Sequence, residues 1–239
     1  MLIDMHAHCH ELSLSELDSY RDSYIVVAVS DDYDSSLITI DMARERRFIH
    51  PCIGIHPWNV GEASENEVNV LLKLAESESV KCLGEVGLDT KFTPQTFKKQ
   101  LDVFMKFLKL ARDYNLVLNI HAAGTWEHVF NLILKYDIDK VFFHWYTGPL
   151  SLLEEIIDKG FFIGANPAWR VQSKHRSIIE SAPLENIITE SDAPYYYKGI
   201  SMSISLVKET VDYIARSRGI SFSSVESLIY NNYRKLFRV

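Results

Sequence analysis

Short apolar runs of strand length recur along the chain, and longer stretches with helical spacing lie between them. The runs fall at residues 2–5, 24–29, 49–55, 81–85, 117–121, 140–144, 161–165 and 187–191. They read as continuous apolar segments rather than alternating ones, the pattern of parallel strands covered on their outer face. Helical spacing marks residues 34–47, 65–76, 94–114, 125–135, 150–158, 173–181 and 202–218. The third of these has the clearest stripe, with Phe97, Leu101, Phe104, Phe107, Leu108 and Ala111 recurring on one face. Pro94 stands near its start, where a missing N–H does least harm. Eight strand segments alternating with helices favour a closed (β/α)8 TIM barrel, a single α/β domain over residues 1–239, above an open doubly wound sheet.

Composition narrows the function classes. Hydrophobic residues are 47% and charged residues 24%, an ordinary balance for a globular chain. No apolar run approaches the roughly 20 residues that span a bilayer, and the N-terminus lacks the basic and apolar regions of a signal peptide. A cytoplasmic protein with no membrane partner is expected. The net charge of −7 argues against a broad grip on a nucleic-acid backbone. Positive residues gather late in the chain, from Arg170 and Lys174 to Arg238, as a solvated face or a basic rim. Cys9, Cys52 and Cys82 form no CxxC pair, so neither a thiolate knuckle nor a disulfide frame is predicted.

Metal-type side chains collect at the predicted strand ends. His6 and His8 follow the first strand, and an i, i+2 spacing in extended chain turns both imidazoles the same way. Glu85 ends the fourth strand, His121 the fifth and His144 the sixth, and Asp192 follows the eighth. Barrel enzymes carry their chemistry at these C-terminal ends. A lone histidine at a strand end is usually a packed residue; six metal-type ligands at five strand ends point to a metal site. Four imidazoles and two carboxylates suit Zn, Mn, Fe or, less comfortably, Mg. Six donors exceed the need of one tetrahedral ion, so two divalent ions sharing a bridging carboxylate are expected. His10, His50, His128 and His175 have no partner in this pattern and are read as ordinary residues.

The chain resembles the TatD-like metal-dependent hydrolases among the amidohydrolase-type barrels. The resemblance rests on Ile3-Asp4-Met5-His6-Ala7-His8, Gly54-Ile55-His56-Pro57-Trp58, Gly84-Glu85-Val86-Gly87-Leu88-Asp89, Asn119-Ile120-His121, Phe143-His144-Trp145-Tyr146-Thr147-Gly148 and Thr189-Glu190-Ser191-Asp192-Ala193-Pro194. Asn232-Tyr233-Arg234-Lys235-Leu236-Phe237 fits the family's last helix, so the likeness runs nearly end to end. It implies that His6 and His8 hold a first ion with Asp192, that Glu85 bridges, and that His121 and His144 hold the second. It further implies that Asp192 takes the proton of the attacking water, that His56 contacts substrate phosphate, and that Trp58 stacks on a base or lines the pocket. The family's best-known activity is Mg-dependent trimming of DNA from an end.

Two departures bear on substrate. Ala122-Ala123-Gly124 follows His121 where the common bacterial pattern has an arginine, and Thr90 stands where an aromatic residue is common. Arg170 or Lys174 is the candidate replacement for the missing charge. Asp4, Asp89 and Glu190 are candidate acceptors behind the ligands, and Tyr195-Tyr196-Tyr197 is a candidate cover or stacking face. The expectation is therefore a deoxyribonuclease acting on DNA ends. The alternatives are an amidase, lactonase or small phosphoester hydrolase on the same site, or a non-catalytic metal-binding barrel.

Overall fold

The computed structural model describes residues 1–77 and 80–239. Eight parallel strands follow one another around a barrel in strict chain order: β1 (Leu2–Ala7), β2 (Tyr24–Val29), β3 (Ile49–Ile53), β4 (Cys82–Gly87), β5 (Val117–His121), β6 (Val141–Phe143), β7 (Phe162–Ala165) and β8 (Ile187–Thr189). Helices cover the outside: α1 (Leu14–Asp18), α2 (Tyr33–Glu45), α3 (Glu65–Ser77), α4 (Phe97–Tyr114), α5 (Trp126–Lys135), α6 (Leu150–Asp158), α7 (Ser173–Ser181), α8 (Val207–Arg218) and α9 (Phe222–Phe237). A two-stranded hairpin, β9 (Tyr196–Tyr197) and β10 (Ile200–Ser201), projects after β8. Among the described residues no helix is long and apolar enough to cross a membrane.

The (β/α)8 expectation therefore holds, with shifted edges. β1 and β4 run two residues further than their apolar runs, to Ala7 and Gly87, and β3 stops two residues earlier, at Ile53. The short α1, capped by Ser13, and the terminal α9, capped by Ser221, add to the helices that spacing marks. The helix expected from residue 202 begins at Val207, after a 3₁₀ turn over Ile204–Leu206.

The barrel closes in an unusual way. β8 and β1 share no regular ladder; the seam is held beyond the end of β8, where Asp192 N–H donates to the His6 carbonyl (2.9 Å) and His8 N–H to the Ala193 carbonyl (2.7 Å). Deeper in the seam the Thr189 hydroxyl donates to the Ile3 carbonyl at 2.6 Å. The ends of β1 and β8 are thus fixed by the very segments that carry ligand-type side chains.

The cysteines correct the sequence reading. Cys52 and Cys82 are register partners on β3 and β4 and form a disulfide, with Cα atoms 4.4 Å apart. A separation of 30 residues carries no such signal; adjacency of the two strands creates the pair. Cys9 is a free, fully buried thiol whose pKa burial pushes up, so it stays protonated and packs.

Candidate metal centre

The strands that carry the ligands are irregular where the ligands sit. The β1–β2 register shifts between Asp4 and Ala7, around His6, and the β4–β5 register shifts between Leu83 and Val86, around Glu85. Such breaks re-aim a side chain without ending the sheet. Gly84 is required beside Glu85, because a Cβ there would lie 2.6 Å from the Asn119 Cβ. Asp192 sits at φ 57, the left-handed region that aspartate tolerates better than most residues. Its N–H anchors to the His6 carbonyl, which over-determines that conformation.

All six expected ligands meet in one place. Glu85, 2% exposed, stands at its centre. Its Oε2 faces His6 Nε2 at 3.2 Å and His8 Nε2 at 3.7 Å, while Oε1 faces His121 Nδ1 at 2.8 Å and His56 Nε2 at 3.5 Å. Asp192 Oδ1 lies 3.5 Å from His6 Nε2, 3.6 Å from His8 Nε2 and 3.8 Å from His144 Nε2. The His144 ring stacks on His6, with centroids 3.6 Å apart. Ligand atoms converge in overlapping groups: His6–His8–Asp192, His6–Glu85–His144 and His56–Glu85–His121. His56 thus stands within a ligand group, and His144 shares one with His6.

Three of the rings, His6, His144 and His121, have a buried acceptor behind them. Asn119 spends its amide N–H on the Met5 carbonyl (2.8 Å), so its oxygen must accept the His6 Nδ1–H at 2.9 Å. His144 Nδ1 meets Glu190 at 2.9 Å, and Glu190 also accepts from Trp145 N–H and the Asn166 amide. His121 turns the other way, giving Nε2 to Asp89 at 3.0 Å and Nδ1 to Glu85. Asp4 accepts from the backbone N–H of His6 and Ser191, joining β1 to the end of β8. Trp58 is 42% exposed, yet its indole N–H donates to Asp89 at 2.6 Å, so it braces this acceptor as well as bordering the mouth.

These residues fit a cation. His6 Nε2 is fully buried and has no hydrogen-bond partner, although two carboxylate oxygens stand within 3.5 Å. With the proton fixed on Nδ1, its lone pair points at negative oxygens, which is repulsive unless a positive ion or proton lies between them. Imidazole plus carboxylate is the donor set of Zn and of its first-row neighbours.

Electrostatics show the same frustration. Burial raises Glu85, but the charges of His56 and His6 and the His121 hydrogen bond hold it well below the carboxylate range. Burial lowers His121, yet Asp89 and Glu85 outweigh it and lift the ring to about 9. Burial also takes Asp4 and Glu190 up to about 7 and His144 down to about 3.

A pH prediction follows for the metal-free protein. His121 is raised above its unfolded value near 6.5, so its contribution is complete below that pH and is lost as pH rises through 9. Asp4 and Glu190 ionise against burial on the way to pH 7, and the depressed histidines have finished titrating by then. Between pH 7 and 9 the thermal midpoint is expected to fall by about 5–10 °C from His121 alone, about 3 kcal/mol, and further from His6 and His8, whose rings neighbouring carboxylates also raise. Adding Mn²⁺ or Zn²⁺ is expected to remove most of this slope, because a cation replaces the proton. A flat metal-free profile would contradict the assignment.

Sequence reasoning missed Asp31, Asn119 and His10. Asp31 follows β2, and its carboxylate lies 3.1 Å from His8 Nδ1 and 3.1 Å from His10 Nε2, so His10 is not an ordinary residue. The acidic run Ser30–Asp34 reads as a helix start, and Asp32 does cap α2, which concealed its neighbour. Asn119 was legible as a polar residue inside an apolar strand, two positions before His121 and so on the same face. His175 is buried structure, accepting from Asn166 N–H. His50 takes the Tyr233 hydroxyl at the opposite end of the barrel. Arg170 pairs with Glu209 and lies over Trp169, so it is already committed; Lys174 is exposed. The Tyr195–Tyr197 run packs partly on Trp145, while Tyr196 is 68% exposed.

An eight-stranded barrel with carboxylates and imidazoles converging at the C-terminal strand ends defines the class of barrel-type metal-dependent hydrolases. The TatD related DNase family model matches residues 3–238, and the chain belongs to the TatD family. It is similar to the uncharacterized metal-dependent hydrolase MJ1582 of Methanocaldococcus jannaschii, at 29% identity over 97% of this chain and 96% of that protein. It is also similar to human deoxyribonuclease TATDN3, at 28% identity over 96% of this chain and 93% of the relative. The crystal structure of YjjV, a TatD homolog from Escherichia coli, shares the fold with a TM-score of 0.88 at 21% identity, covering 100% of this chain and 98% of that one.

Proposed function

We propose that this metal-dependent hydrolase, a single domain over residues 1–239, cleaves phosphodiester bonds at DNA ends with two divalent ions, Zn, Mg or Mn. The observation that carries the reading is the placement of Glu85, whose two oxygens face separate imidazole groups. His6, His8 and Asp192 would hold one ion, His121 and His144 would serve the second, and Glu85 would bridge. When bound, such a pair lowers the pKa of a water and polarises a phosphodiester. Asp192 then serves as general base: its Oδ1 is turned to the site, and its backbone is pinned to the barrel seam. His56, in contact with His121 and Glu85, is placed to receive a phosphate oxygen at the rim of this group, and Trp58 borders the mouth. The names of relatives such as human deoxyribonuclease TATDN3 support a DNA substrate.

A second reading, a small ester or amide hydrolase, is favoured by one observation. Ala122 and Ala123 follow His121 without a guanidinium, and Arg170 is spent on Glu209, so phosphate-gripping charge is sparse. End-labelled single-stranded DNA incubated with Mg²⁺, Mn²⁺ or Zn²⁺ separates the two. Stepwise, metal-requiring shortening is expected, and Asp192→Asn is expected to slow it by about 10²–10³-fold. Intact DNA beside a protein that binds two equivalents of metal would transfer the assignment to small esters or amides.

A further inference from the structure

His6, His144 and His121 each have an acceptor behind the ring, and the group in that position for His8 is Asp31. The Asp31 carboxylate faces both rings: Oδ2 is hydrogen-bonded to His10 Nε2 at 3.1 Å, and Oδ1 stands 3.1 Å from His8 Nδ1, close enough for an ion pair although off the hydrogen-bond axis. Its backbone is fixed as well, since its N–H donates to the Ser35 hydroxyl at 2.9 Å and its carbonyl accepts from His56 N–H at 2.8 Å. A carboxylate this close to Nδ1 favours the proton on that nitrogen, and a small turn of the ring would complete the hydrogen bond. The Nε2 lone pair is then free, and it faces Glu85 at 3.7 Å and Asp192 at 3.6 Å. Carboxylate partners of this kind fix ring orientation and raise the basicity of a ligating imidazole.

We infer that Asp31 is the positioning residue for His8, and that His10 clamps Asp31 so that the carboxylate cannot rotate away. The inference rests on the reading of His8 as a metal ligand. It makes β2 a contributor to the centre, although β2 supplies no ligand to the ions themselves. His10 acts at one further remove, through Asp31 alone, so its loss is expected to matter less. A competing use of the same atoms exists: His8, His10 and Asp31 offer donor atoms within 4.8 Å of one another, close enough for a cation of their own.

The test is calorimetric titration of the full-length, metal-free protein with Mn²⁺ and with Zn²⁺, beside its melting curve. Asp31→Ala is expected to weaken one equivalent by about 10–100-fold while leaving the other unchanged. Asp31→Asn keeps an acceptor oxygen and is expected to recover most of that loss, and His10→Gln is expected to cost only a few-fold. Wild-type affinity for both equivalents in Asp31→Ala would overturn the inference. So would equal weakening of both equivalents together with a lowered metal-free melting point, the mark of a merely structural role. Three equivalents in the wild type and two in His10→Gln would replace it with a separate cation site. Wild-type protein that binds no metal would sink the ligand reading and this inference together. Failure on DNA with the titration pattern intact would remove only the substrate assignment.

Discussion

Glu85→Gln protein is expected to lose hydrolytic activity by about 10⁴-fold or more and to bind fewer metal equivalents than the wild type. The change is nearly isosteric, so packing is preserved and the effect is electrostatic. The carboxylate lies within 3.7 Å of nitrogens from His6, His8, His56 and His121, and its two oxygens face different imidazole groups. An amide there removes a full negative charge from a 2% exposed position. It also points an N–H₂ group toward ring nitrogens that must stay free for a cation. Without cations the site has no means of making water a nucleophile near neutral pH, where the pKa difference between bulk and activated water is about eight units. A 10⁴-fold loss corresponds to about 5 kcal/mol of transition-state stabilisation. Titration with Mn²⁺ and an activity assay check both halves. Retention of two equivalents at native affinity would show that the bridging role belongs elsewhere.

Gly87→Ala is expected to be the most damaging single substitution for the fold. Gly87 sits at φ 149, and a Cβ there would lie 1.8 Å from the His121 carbonyl oxygen and 2.8 Å from its carbonyl carbon. The obstacle is backbone, so no side chain can move aside. Gly87 and His121 are register partners, and Leu88 N–H donates to that same carbonyl at 3.1 Å. Relief therefore requires β4 to part from β5, which carries Glu85 away from His121. A loss of about 4 kcal/mol or more is expected, lowering the melting midpoint by about 10 °C and reducing soluble yield. Gly160→Ala is the matched control. Gly160 has φ 73 with nothing within 4 Å of its Cβ position, so only the conformational cost of about 1–2 kcal/mol applies. Equal midpoints for the two variants would refute the steric account.

The barrel was legible because most positions of the parallel strands are buried and read as mainly apolar runs. Leu2–Ala7 and Cys82–Gly87 are buried at every position. The ligand-type residues were legible for a related reason: a charged or imidazole side chain that ends such a run needs a partner. Pairings made by the folded ring of strands were not legible. Nothing in the spacing of His10 and Asp31 relates them; they meet because the chain beyond β1 turns beside the end of β2. Cys52 and Cys82 meet only once β3 and β4 are in register. Arg170 looked free until α8 brought Glu209 to it. The grouping of His144 with His6 likewise depends on the barrel's curvature, which no periodicity encodes.

The seam between β8 and β1 has a consequence for how the molecule matures. His6 and His8 lie near one end of the chain and Asp192 lies far along it, and the hydrogen bonds that join Asp192 to His6 and Ala193 to His8 are the ones that shut the ring. Completion of the fold and the meeting of Asp192 with His6 and His8 are therefore one event. A nascent chain halted before residue 192 would hold His6 and His8 with Glu85 but without the carboxylate that the end of β8 supplies. The last strand thus does two jobs at once, locking the ring and bringing a carboxylate against the imidazoles of the first strand.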